Sequence, residues 1–145
     1  MVTPTTDNDL YAMLADIAVQ RYDLPSLLKY APMAEALSTR HGHVLYQAIA
    51  HRAWGTAHRL AGEYDQAEKR LSQALQLFQS LGTRWQLGRT LYELGQLAMA
   101  RNDILTARHH FKHALTEFDK MKATPNAGQV RALLNQLPDE TSNAA

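Results

Sequence analysis

The sequence predicts an all-α fold, a solenoid of three helical hairpins closed by a seventh helix, and three observations predict it. The chain repeats itself at a shift of 40 residues. Within each copy, apolar residues recur at spacings of three and four, the period of a helix face, and no window alternates as a strand would. Short polar breaks fall at matching places in the copies, and most contain a glycine or an asparagine.

The repeat is clearest between "RLAGEYDQAEKRLSQALQLF" (59–78) and "MARNDILTARHHFKHALTEF" (99–118). Ala15, Gly55 and Gly95 share one small slot, and Leu14, Trp54 and Leu94 the bulky slot before it. In the second half of each copy, Leu27, Ala67 and Ala107 align, then Ala31, Leu71 and Phe111, then Ala34, Ala74 and Ala114.

The helices follow in order. Apolar periodicity and breaks place six at about 8–21, 24–40, 43–61, 64–80, 84–101 and 104–121. The breaks inside the hairpins read "RYDL", "AGEY" and "RNDI". Gly62 and Asn102 stand just past a helix end, where a left-handed residue satisfies the last carbonyls, and Gly42 and Gly82 end the second helices of copies one and two. In "TRWQ", Thr83 and Gln86 have the spacing of a capping box. After "ATPN", Val130, Leu133, Leu134 and Leu137 give a seventh helix one apolar side, which caps the third hairpin, and Pro138 stops it. Residues 1–138 are expected to form one domain, and the polar tail 139–145 to be disordered.

An interior glycine costs a helix about 1 kcal/mol relative to alanine. Its return after 40 residues, as Gly55 and Gly95, implies that a packed neighbour fills the space a side chain would take.

These residues resemble the tetratricopeptide repeat: a bulky-apolar–Gly pair in one helix, then alanines and a large residue in the next. "WGTAHRLAGEYDQAEKRLSQAL" and "LGQLAMARNDILTARHHFKHAL" carry the pattern well; copy one, with Ala15 and Leu27, carries it faintly. The resemblance covers about 10–137 and implies a right-handed stack whose first helices line a concave groove. The period of 40 exceeds the family's usual ~34, and resembles the repeats of large bacterial signal-responsive ATPase regulators of the maltose-activator type. The family's aromatic after the Gly is replaced by His58 and Ala98.

Composition removes other classes. A net charge of +1 gives no pull toward nucleic acid or an acidic membrane. The absence of cysteine excludes disulfides, thiolate metal sites and thiol catalysis. No apolar run reaches the ~18 residues of a membrane span, and "MVTPTTDNDL" lacks the features of a signal peptide, so a cytoplasmic location is expected. No phosphate-binding glycine loop occurs, and Glu63, Asp65 and Glu68 sit in exposed helix slots, so no catalytic residue or cofactor is expected.

Three places deserve weighing as sites. In "RHHFKH" (108–113), His109 and His113 are four apart and could share a metal, but Phe111 must face the core, which turns both to solvent; no metal site is expected. His51 and His58 occupy seam slots held by Leu91 and Ala98 in copy three, and read as half-core histidines with a backbone or Tyr partner rather than as a pH switch. The groove stripes are Asp9, Ala12, Asp16 and Val19; Ile49, Arg52, Thr56 and Arg59; and Arg89, Tyr92, Gln96 and Met99. The last two sets are expected to contact a partner, being rich in residue types common at interfaces. The expected function is a non-enzymatic protein–protein interaction module. It holds a protein or peptide segment with acidic groups over Arg52, Arg59 and Arg89 and an apolar anchor near Tyr92 and Met99. The rival is a self-association piece, a homodimer, or a spacer of a larger multidomain regulator, suggested by Leu10, Leu14 and Ile17 on an uncapped first helix.

Overall fold

The computed structural model describes residues 4–138, with side chains from Asp7 onward, and the expected tail lies outside them. Among the described residues there are seven α-helices and no strand: α1 Pro4–Arg21, α2 Leu24–Arg40, α3 Val44–Leu60, α4 Tyr64–Leu81, α5 Arg84–Ala100, α6 Ile104–Lys120 and α7 Thr124–Gln136. The chain divides into two compact units, Met1–Leu81 with α1–α4 and Gly82–Ala145 with α5–α7. α1 begins four residues earlier than expected, and α7 begins at Thr124 because Pro125 enters its first turn, where a missing N–H costs nothing.

The stops are periodic. A residue with positive φ follows every helix but the last at intervals of 20: Tyr22, Gly42, Gly62, Gly82, Asn102 and Lys122. At five of these ends the next residue's N–H reaches back five positions, as from Glu63 to the His58 carbonyl at 2.8 Å and from Asp103 to that of Ala98 at 2.9 Å. Gly42, Gly62 and Gly82 take this conformation without strain; Tyr22, Asn102 and Lys122 bear a side chain there.

The starts depart from expectation. Thr83 is the residue before α5, but its side chain makes no capping hydrogen bond, so the capping box does not form. The side-chain caps come instead from Asp23, which accepts from the Ser26 N–H at 3.3 Å and its hydroxyl at 2.7 Å, and from Asp103, which accepts from the Thr106 N–H at 3.1 Å. These bonds hold both carboxyls below the ordinary aspartate value.

In the first unit, Ala15, Ala18, Val19, Leu27, Ala31 and Ala34 pack with Ala50, Ala53 and Ala57, and Tyr11, Tyr30 and Trp54 close the edges. In the second, Phe111, Phe118, Ala107 and Ala114 of α6 are buried, as are Ala127 and Val130 of α7 and Leu137 just past its end.

The glycine slot works by volume. A Cβ on Gly55 would meet Leu71 Cγ at 2.5 Å, and one on Gly95 would meet Phe111 Cε1 at 2.4 Å. Gly88 does the same for Phe118, at 2.7 Å. The register of the copies sets Ala15 against Ala31, then Ala48 against Phe78, and Asn8 against Ser38. In the first hairpin, then, a polar pair stands where the others place a small residue against a ring. Asn8 is 1% exposed and its carboxamide has no hydrogen-bond partner among the described residues. Asn8→Ala is therefore expected to raise stability by about 1 kcal/mol, since an unsatisfied buried amide costs more than the methyl that replaces it. A higher urea midpoint checks this; a lower one would mean that the amide is held.

Candidate functional site

The α3 stripe lies deeper than its spacing suggested. Ile49 is 8% exposed, and Arg52 and Thr56 are 0% exposed, while Arg59 is half-buried. The Arg52 guanidinium lies 3.1 Å from Asp16 Oδ1 on α1 and 5.0 Å from the centre of the Phe78 ring on α4. Asp16, from the α1 stripe, is the carboxylate that meets the central arginine. A 3-4-3 spacing identifies a common face but says nothing of depth. Arg59 lies over the Tyr22 ring at 4.5 Å, so a residue of the α1–α2 stop also seats a stripe arginine. Asp9 accepts a hydrogen bond from the Tyr46 hydroxyl.

In the second unit, all four stripe residues of α5, Arg89, Tyr92, Gln96 and Met99, are half-buried. The Tyr92 hydroxyl accepts from Gln96 Nε2 at 3.0 Å and from Gln129 Nε2 of α7 at 3.2 Å, and its ring stands 5.9 Å from that of Phe111. Both faces of the tyrosine's role are fixed: the ring is seated on the hairpin core and the hydroxyl is held by two amides.

The histidines behave differently from expectation. His51 and His58 are indeed half-buried, but their partners are ionic: His51 Nδ1 lies 3.0 Å from Arg70 Nη1, and His58 Nδ1 lies 3.0 Å from Glu63 Oε1. Arg70 is in turn paired with Glu35 of α2. Burial, and then the Arg70 charge, push the His51 imidazole below its ordinary value, against an opposing pull from Glu35. Nothing in the local sequence marks this network, because its members lie 16–35 residues apart.

On α6, His109 is exposed and its ring is 5.6 Å from that of His110. His113 meets a carboxylate: Glu117 lies 3.9 Å away and also receives Arg84 of α5 at 3.2 Å and Lys120 at 4.0 Å. That cluster is a strap across the hairpin. Among the described residues, no group of three or more His, Cys, Asp or Glu is placed to hold a metal, and no described helix is long and apolar enough to cross a membrane.

Helices paired as hairpins, glycine seams filled from the facing helix, and left-handed stops at equal intervals define an all-α helical-repeat protein of the solenoid class. Within that class, residues 46–116 match the family model described as tetratricopeptide repeat, which supports a tetratricopeptide-repeat family. Repeats of this kind generally mediate protein–protein contacts and serve as non-catalytic scaffolds. Among solved structures, the crystal structure of BtubC (BKLC) from P. vanneervenii is similar, with a TM-score of 0.64 and 17% identity, over 99% of this chain and 70% of that one. At that identity the likeness is one of fold alone. No curated protein is found to match the sequence.

Proposed function

We propose that this chain is a non-catalytic interaction module that holds a protein or peptide segment bearing acidic groups. The observation that carries the proposal is the α5 stripe, where Arg89, Tyr92, Gln96 and Met99 remain part-exposed on a helix whose opposite side is packed against α6. Tyr92 and Met99 offer an apolar anchor and Arg89 a planar fork for a carboxylate. In the first unit, Arg59 is the comparable contact, while Ile49, Arg52 and Thr56 support it from below the surface. Arg59→Ala and Arg89→Ala should each weaken the binding of an acidic peptide by about 1–3 kcal/mol, as expected for a lost charged hydrogen bond. His109→Ala, on an exposed slot of α6, should leave it unchanged. Titration of acidic peptides taken from an array gives the three curves. Loss of binding in the His109 variant, with both arginine variants intact, would place the partner elsewhere.

A second reading, self-association as part of a larger regulator, draws on one observation. Leu10, Met13 and Ile17 are exposed by 45%, 57% and 40% at i, i+3 and i+7 on α1, so the apolar stripe runs through Met13 rather than the half-buried Leu14. Light scattering separates the readings: a monomer that binds acidic peptide favours the first, and a dimer dispersed by Met13→Glu favours the second.

A further inference from the structure

We propose that the cleft between α3 and α4 is a binding site for a small oxyanion, a carboxylate or phosphate group carried on a molecule of metabolite size. The cleft lies wholly within the first unit, apart from the stripes assigned above to a protein partner. Its volume is about 570 Å³, and it is lined by His51 and His58 of α3 and by Gln66, Lys69, Arg70 and Gln73 of α4. That is within the ~300–1,000 Å³ span of small-molecule sites. His51, Gln66, Lys69, Arg70 and Gln73 each carry a hydrogen-bond donor, and no lining residue is a carboxylate.

The repeat explains why the cleft is there. At the register position of His51, the other copies have Tyr11 and Leu91; at that of His58, they have Ala18 and Ala98. The second hairpin alone has exchanged apolar seam residues for imidazoles at both places. A stable seam does not require that exchange, since the copies on either side do without it.

The hydrogen bonds then orient the donors. A guanidinium can only donate, so the Arg70 bond at 3.0 Å makes His51 Nδ1 an acceptor and leaves the ring proton on Nε2. An ionised carboxylate can only accept, so Glu63 fixes the proton of His58 on Nδ1. The charge of Arg70 is answered by Glu35 from α2, and that of His58, when protonated, by Glu63. Lys69 is exposed and has no ion-pair partner among the described residues, so it is the cation left to meet a ligand. An anion beside it would offset the desolvation and the Arg70 charge that lower the His51 pKa. Binding should then take up a proton, against the same background of Glu35, Glu63, Lys69 and Arg70.

The test uses the full chain and two probes, inorganic phosphate and citrate, each titrated at constant ionic strength while the imidazole NMR signals are followed. Of the seven histidines, His51 and His58 should move saturably. Phosphate alone saturating identifies a phosphate source, and citrate alone a carboxylate one; either supports the site. Lys69→Gln, an exposed change that leaves the core intact, should weaken binding about tenfold, the loss of one charged contact. Lys112→Gln, exposed on α6, should not change it. Affinity should rise as the pH is lowered, because a bound anion favours uptake of a proton by His51. The proposal is overturned if the His51 and His58 signals drift linearly with both probes, or if Lys69→Gln binds as the unaltered chain does.

Discussion

Phe111→Ala is expected to cost the second unit about 3–5 kcal/mol, the usual loss for a buried phenylalanine. The ring is 0% exposed and fills the space that Gly95 leaves open. Gly95→Ala alone should also destabilise, by about 1–3 kcal/mol, because its Cβ would stand 2.4 Å from Phe111 Cε1. Together the two changes should cost much less than their sum, since they recreate the Ala15–Ala31 pair of the first hairpin. Urea unfolding of the four proteins measures the coupling. Strict additivity would mean that the slot and the ring do not share one volume.

The second large effect is expected at the Arg52–Asp16 pair. Arg52 is 0% exposed and the Asp16 side chain 22%. Asp16→Ala removes a carboxylate from a buried guanidinium and should cost about 3 kcal/mol, whereas exposed pairs contribute little. The combination of Asp16→Ala with Arg52→Met should recover part of that loss, because the buried guanidinium is then removed together with its carboxylate. Equal stability of the Asp16→Ala protein and the parent at low and at high salt would show that the pair contributes nothing.

The parts of this fold that were legible in the sequence are those set by local chemistry. Gly42, Gly62, Gly82 and Asn102 announce helix ends because the left-handed backbone is selective for residue type. Gly55 and Gly95 announce a close approach because a helix tolerates glycine poorly unless something is gained. Tyr22 and Lys122 take the same backbone conformation without any such signature, and only the interval of 20 reveals them. The Asp23 and Asp103 caps were present in "RYDL" and "RNDI", yet the Ser or Thr three residues on was the sign to weigh. The depth of Arg52 and the Arg70–Glu35–His51 network were not legible. They depend on which helix lies across the face, and the partners are 19–36 residues away.

Helices built on one repeated pattern carry a hazard of their own during folding, since each has a wrong partner in the neighbouring copy, within the chain or in a second molecule. The unequal filling of the seams answers it. Were α3 to take α6 in place of α4, the Phe111 ring would press where Gly55 is fitted to a leucine; were α5 to take α4, Leu71 would leave part of the space over Gly95 empty. Each mispairing pays either a clash or a void, at a position buried in every correct hairpin. The glycine seams thus act as addresses, by which self-similar segments are sorted to their own mates and kept from exchanging between chains.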